Sequence, residues 1–194
     1  DVKKLGVDLL SIAAHKFNGP KGIGALYIKK GTSISPIMYG GHHEKGLRPG
    51  TENVPNIVGL TKALTLSVSK IEEHNKHTLF LREKLKKGII EKIPEVIVNG
   101  SNEKAVSNIL NISFKYIEGE SLLAMLDMKG IAASTGSAYA TGEEKASHVL
   151  SAMGIDPLAA QGAIRFSFGW QNTKEEVDYV LNVLVEAVEK LRTM

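Results

Sequence analysis

The chain contains no cysteine. That excludes disulfides and thiolate metal sites, and it suits a reducing compartment, so the expected location is the cytoplasm. No apolar stretch approaches the ~20 residues of a membrane span, which argues against a membrane partner. An excess of one charge is also missing: 24 Lys and Arg stand against 21 Asp and Glu, a net +3, with the signs interspersed. The densest basic cluster, Lys84, Lys86 and Lys87, has no interleaved aromatics and falls on an amphipathic stretch. It reads as a solvated helix face, which argues against nucleic acid. What remains, 194 residues of which 43% are hydrophobic, is a globular chain long enough for one or two compact units.

The most informative stretch is Ser11-Ile12-Ala13-Ala14-His15-Lys16-Phe17-Asn18-Gly19-Pro20-Lys21-Gly22-Ile23-Gly24. An apolar run from Val7 to Ala14 meets His-Lys, then a Gly- and Pro-rich turn, then a second apolar run to Ile28. The pattern predicts strand, tight loop, strand, with Lys16 where the backbone reverses. A lysine amine fixed between two buried strands is placed to lose its proton and bond a carbonyl carbon. A solvated loop lysine satisfies the same local pattern.

Downstream, Leu47-Arg48-Pro49-Gly50-Thr51-Glu52-Asn53 combines a glycine with a hydroxyl, a pairing able to donate to an anion. Gly40-Gly41-His42-His43-Glu44 raises a metal site with His15 as a third imidazole. Adjacent residues point to opposite sides of the backbone, and no His-Glu-x-x-His spacing exists, so no metal is expected. From Pro55 the apolar period turns helical: Ile57, Leu60, Leu64, Val68, Ile71, then Leu81, Leu85, Ile89 and Ile93. This predicts one long connecting helix ended by Pro94. A short strand follows at 95–99, an alternating strand at 108–114 and an amphipathic helix at 118–128. Ile164-Arg165-Phe166-Ser167 lies on a strand, and Thr173 with Glu176 forms a capping box opening a last helix. His148 reads as a helix-surface residue. Strand and helix in alternation imply an α+β layer.

Four of these strings together resemble the cysteine desulfurases, the NifS/IscS-like branch of the class-V aminotransferases. They are Ser-x-x-x-His-Lys-x-x-Gly-Pro-Lys-Gly-x-Gly, Arg-x-Gly-Thr-x-Asn, Ser-Asn-Ile-Leu-Asn-Ile-Ser-Phe with Glu-Gly-Glu-Ser-Leu, and Ile-Arg-Phe-Ser. The resemblance implies an α/β protein of the pyridoxal-phosphate (PLP)-dependent transferase fold type I. Residues 1–70 would be the end of the PLP-binding large domain with the start of the connecting helix, and 71–194 an α+β small domain. It implies that Lys16 carries PLP, that His15 lies beside the cofactor, and that Thr51 reaches the cofactor phosphate of a second copy in a homodimer. Arg165 would hold the substrate carboxylate, a role suited to its planar fork. Ala13 stands where the family has a serine that contacts the phosphate, and one lost donor weakens binding by about 1–3 kcal/mol.

The largest departure lies in Ala133-Ser134-Thr135-Gly136-Ser137-Ala138-Tyr139, where the family's nucleophilic cysteine is replaced by Tyr139. A phenol with a reference pKa of ~10 cannot accept sulfur as a thiolate does, so persulfide formation is expected to fail. The function implied is release of sulfur from an L-cysteine-like amino acid for iron–sulfur cluster assembly, with an iron–sulfur scaffold protein as partner. Two alternatives stay open: a carbon–sulfur lyase that needs no cysteine, and a non-catalytic dimeric scaffold subunit. Because the matching motifs lie well inside the family's chain, the sequence also reads as a C-terminal portion. It would be a split-gene product, a proteolytic piece or a truncated form, with a separate N-terminal chain as a further partner.

Overall fold

In a computed structural model, which describes residues 1–101, 103–135 and 147–194, the apolar runs around Lys16 become β1 (Leu9–Ala13) and β2 (Gly24–Ile28). They pair antiparallel, Leu9 opposite Ile28 and Ala13 opposite Gly24. Ahead of them a single turn, α1 (Val2–Leu5), is capped by the Asp1 carboxylate. The sequence expects buried strands here, and the structure corrects that. Among the described residues β1 and β2 are the whole of their sheet, and Leu9 and Leu26 keep 45% and 54% of their surface exposed. A two-stranded sheet has no neighbouring strands on either side to bury it.

The periodic stretch after Pro55 forms two helices rather than one: α2 (Val54–Ser69) and α3 (Ile71–Lys92). Lys70 breaks the run at φ −114°, ψ 11°. The apolar residues keep helical spacing across a one-residue interruption, so their periodicity does not reveal it. Asn53 starts α2 by accepting from the backbone N–H of Asn56, with Pro55 in the first turn where its missing N–H has no partner to lose.

The chain divides into two compact units, Asp1–Ile71 and Glu72–Met194. The second contains β3 (Val96–Val98), β4 (Ile109–Phe114), α4 (Gly119–Asp127), α5 (His148–Ala152), α6 (Pro157–Gln161), β5 (Ala163–Ser167) and α7 (Lys174–Thr193). Its strands form one antiparallel sheet in the order β3-β4-β5. Alternation along β4 sends Leu110, Ile112 and Phe114 to one face, where Ile164 and Phe166 of β5 join them. Leu81, Leu85 and Ile89 of α3, Leu122 and Leu126 of α4, and Leu181, Leu184 and Val188 of α7 complete that core. Each fully buried side chain of this size stabilises the unit by roughly 1.5–3 kcal/mol relative to exposure. The opposite face carries Asn111, Ser113 and Arg165, and at its Ala163 end Leu150 and Ala160 form a second small cluster.

Gly162 shows how tightly β4 and β5 join. A Cβ there would lie against the carbonyl oxygen of Phe114, and the Gly162 carbonyl itself accepts from the Phe114 N–H at 2.9 Å. At the far end Thr173 caps α7 by accepting from the Glu176 N–H, while the Glu176 carboxylate accepts from the Thr173 N–H.

Candidate functional site

His15 and Lys16 lie on a one-turn 3-10 helix, Ala14–Phe17, that joins β1 to the following loop. Ala14 is fully buried and fixes the turn from beneath. Its N–H donates to the Ile23 carbonyl at 3.0 Å, and its carbonyl accepts from the Gly19 N–H at 2.8 Å. Asn18 ends the turn in the left-handed region, φ 64°, a conformation that asparagine tolerates. Gly19 is needed for contact: a Cβ there would lie 2.9 Å from the Ala14 Cβ. α2 backs the turn, with Ser67 Oγ donating to the Phe17 carbonyl at 3.4 Å. Gly59 lets the helix approach Pro20, since an added Cβ would come within 2.6 Å of its ring. The backbone under Lys16 is therefore held on three sides, while the side chains of His15 and Lys16 are exposed. Ala13, half-buried, closes β1 immediately before them.

Thr51 is exposed and stands two residues ahead of the Asn53 cap of α2, the helix that packs on the Lys16 turn. Gly50 before it adopts φ +106°, open to glycine and strained for other residues. Half of the Arg-x-Gly-Thr-x-Asn motif thus has a local structural purpose, the turn and the helix cap, and the Thr51 hydroxyl is the part left for a ligand. In the preceding loop His42 is exposed, whereas His43 is half-buried and its Nδ1 has no hydrogen-bond partner. Among the described residues no group of three potential metal ligands gathers.

Arg165 is the central residue of β5, half-buried, with Asn111 of β4 opposite it on one side and Ser134 on the other. Its Nε is buried and has no hydrogen-bond partner among the described residues. None of the ion pairs formed among the described residues includes it. A buried cationic donor without a partner is uncommon in a folded chain and marks a place where an acceptor from outside would be stabilised. Thr135, next to Ser134, donates its hydroxyl to the Glu120 carboxylate at 2.6 Å, which ties this segment to the first turn of α4. Tyr139 lies outside the described residues, and His148 is exposed at the start of α5.

The structure thus places His15, Lys16 and Thr51 in the first unit and Arg165 in the second. Sequence reading did not single out Asn99, Asn111 and Ser134, the polar neighbours in the ladder beside Arg165. The signal was present as period-two alternation in Asn-Ile-Leu-Asn-Ile-Ser-Phe, which sets Asn111 and Ser113 opposite the core side chains. An open groove of about 380 Å³ on α3, lined by Lys76, Leu79, Phe80, Glu83, Lys84 and Lys87, includes none of the expected site residues.

Comparison with known proteins gives a consistent result. The family model described as Aminotransferase class-V matches residues 1–180. A protein named cysteine desulfurase IscS from Methanosarcina thermophila is 52% identical over 194 residues, all of this chain and 48% of its own length. One of the same name from Dictyoglomus turgidum is 46% identical over 194 residues and 49% of its length. Among solved structures, a NifS-like protein is 42% identical with a TM-score of 0.88, covering 98% of this chain and 49% of its own. A NifS-like protein from Rickettsia africae is 30% identical with a TM-score of 0.83, covering 100% of this chain and 50% of its own. The chain spans about half the length of these relatives.

Proposed function

Starting from a chain that belongs to the class-V aminotransferase family and has its PLP-dependent fold type I, we propose that it serves a cysteine desulfurase-like role in sulfur mobilisation. The observation that carries this reading is the His15–Lys16 turn, whose backbone is fixed by Ala14, Gly19 and α2. The donor set fits the family's cofactor: a primary amine on a rigid turn, an imidazole beside it, and a threonine hydroxyl after a left-handed glycine. When bound, pyridoxal phosphate supplies an electron sink for charge developing on the substrate carbons. Lys16 would hold the cofactor and move protons at the substrate α- and β-carbons. His15 would flank it, and Thr51 would donate to the phosphate held by a second copy, so the working form would be a homodimer.

Arg165 holds the carboxylate of an L-cysteine-like amino acid, a reading supported by its buried, partnerless Nε. Charge-assisted, two-pronged pairing with a carboxylate is what a guanidinium does better than an ammonium. The finer claim concerns Tyr139: with no cysteine anywhere in the chain, sulfur released from substrate has no thiolate to receive it. The chain therefore forms no persulfide by itself. Delivery to an iron–sulfur scaffold protein requires an acceptor from elsewhere.

Incubation with PLP and L-cysteine, followed by reduction and a sulfide assay, tests the reading. Cofactor fixed on Lys16 by borohydride, without reducible sulfur on the chain, is the expected result. Protein-bound sulfur that reduction releases as sulfide, formed at family-like rates, overturns the Tyr139 claim. Pyruvate and sulfide together, without any protein-bound sulfur, select the carbon–sulfur lyase. No cofactor on Lys16, even when an N-terminal half from a relative is supplied, selects a non-catalytic scaffold subunit.

A further inference from the structure

The sheet of the second unit carries a polar row that crosses its strands at one level. Asn99, just past β3, donates its backbone N–H to the Asn111 carbonyl at 2.9 Å. Asn111 lies opposite Arg165 in the β4–β5 register. Arg165 in turn bridges to Ser134. Directly opposed residues of an antiparallel pair share a face, with Cβ atoms about 4.5–5.5 Å apart. Asn99, Asn111, Arg165 and Ser134 therefore stand side by side on the face away from the main core.

Hydrogen bonds give this row a direction. Asn99 Nδ2 donates to Asn111 Oδ1 at 2.7 Å and to Ser113 Oγ at 2.8 Å. With its oxygen engaged by Asn99 on the β3 side, Asn111 has its amide nitrogen, a donor, to offer a further acceptor. Beside it in the register lies Arg165, whose buried Nε has no acceptor among the described residues. No carboxylate stands in the row to neutralise the guanidinium. An aspartate at 111 has the same shape as asparagine and would fill that acceptor position from within the protein. The amide leaves it to a ligand.

We propose that Asn111 is a second donor for the carboxylate that Arg165 holds, and that Asn99 is the positioning residue that fixes the Asn111 amide. This inference rests on the reading of Arg165 as a carboxylate ligand. It extends that reading to specificity: a small carboxylate meets a guanidinium and an amide from adjacent strands, an arrangement that rejects neutral and cationic analogues.

The test is an NMR titration of the whole ¹⁵N-labelled 194-residue chain with sodium propionate, with propylamine hydrochloride as control. The Arg165 Nε–Hε resonance is assigned by its loss in Arg165→Lys, and affinities are followed on β5 backbone amides. In the unsubstituted chain, propionate moves the Arg165 signal to saturation and propylamine does not. Asn111→Ala weakens propionate about tenfold, the effect of one hydrogen bond to a charged group. Asn111→Ser, which keeps a donor, recovers most of that loss. Asn99→Ala weakens binding in the same direction. Asn111→Asp shifts the Arg165 resonance before any ligand is added and abolishes the response.

Propionate binding equally well to Asn111→Ala and Asn99→Ala, with Arg165 still responding, overturns the proposal and leaves Arg165 as carboxylate ligand. Propionate affinity unchanged by Arg165→Lys overturns the reading of Arg165 itself. No response in the unsubstituted chain overturns both. If Asn111→Ala loses its dispersed amide spectrum, Asn111→Asp and Asn99→Ala decide the matter by the same criteria.

Discussion

Arg165 and Ser134 are bound to each other in both directions through their backbones. The Arg165 N–H donates to the Ser134 carbonyl at 2.6 Å, and the Ser134 N–H donates to the Arg165 carbonyl at 3.2 Å. This short bridge adds a fourth line of backbone to the β3-β4-β5 sheet at the level of Arg165. Ser134→Pro removes the donor and leaves the Arg165 carbonyl short of a partner. Destabilisation by about 1–3 kcal/mol is expected, read as a lower urea midpoint at unchanged slope.

Lys16 supplies the amine of the proposed cofactor site, and its replacement separates that role from folding. Because the side chain is exposed while the turn is held by Ala14 and Gly19, Lys16→Ala should leave the thermal midpoint nearly unchanged. The same variant should lose the mass increment that borohydride leaves after incubation with PLP. An undiminished increment would place the reactive amine elsewhere.

At Gly162 the demand is steric rather than conformational. Its φ of −87° is ordinary for any residue, but an added Cβ would meet the Phe114 carbonyl, which is backbone and cannot swing aside. Gly162→Ala is expected to cost at least ~2 kcal/mol, because β4 and β5 must separate or shift register to admit the methyl. Chemical denaturation of the variant beside the unsubstituted chain measures it.

The α7 cap predicts a pH dependence. The Thr173 backbone N–H, and after it the Asn172 amide, donate to the Glu176 carboxylate and hold its pKa below the ordinary value. Both bonds favour the ionised form in the folded state. Their stabilisation is therefore fully present above the unfolded carboxylate range and is lost as pH falls through the lower folded pKa. Glu176→Gln should reduce the urea midpoint by a constant amount above about pH 6, and the gap to the unsubstituted chain should narrow below about pH 4. A gap that widens on acidification would contradict the assignment. Thr173→Ala, which removes the reciprocal bond, should cost about 1 kcal/mol at neutral pH.

Tyr139→Cys returns a thiol to the position that the family resemblance assigns to sulfur capture. Dithiothreitol-releasable sulfide should then accumulate on the chain after incubation with PLP and L-cysteine, provided the cofactor is held. Cofactor retention without any gain of releasable sulfur would show that the thiol alone does not restore the step.

Much of the second unit was legible in its sequence because the signals there are local and repeated. Alternation in Ile109–Phe114, the strand around Arg165, and the Thr173–Glu176 capping box each correspond to an element within a residue or two. The same kind of signal failed at Lys70, where one non-helical residue divides a stretch whose apolar period continues on both sides. It failed again at β1 and β2, whose apolar content resembles that of buried strands although, among the described residues, Leu9 and Leu26 stay about half exposed. Composition reports what a strand could bury, not whether anything lies against it.

By itself the sequence determined the family and the fold class and offered candidates for the chemistry, since these reside in side-chain types and short spacings. The tertiary structure alone decided that Asn99, Asn111, Arg165 and Ser134 stand in one row. These positions come from four separate segments, and only the register of hydrogen-bonded strands carries such distant residues to a common level. It alone showed, too, that the Arg165 Nε is buried without an acceptor among the described residues. Burial is a sum over neighbours that no one-dimensional pattern contains.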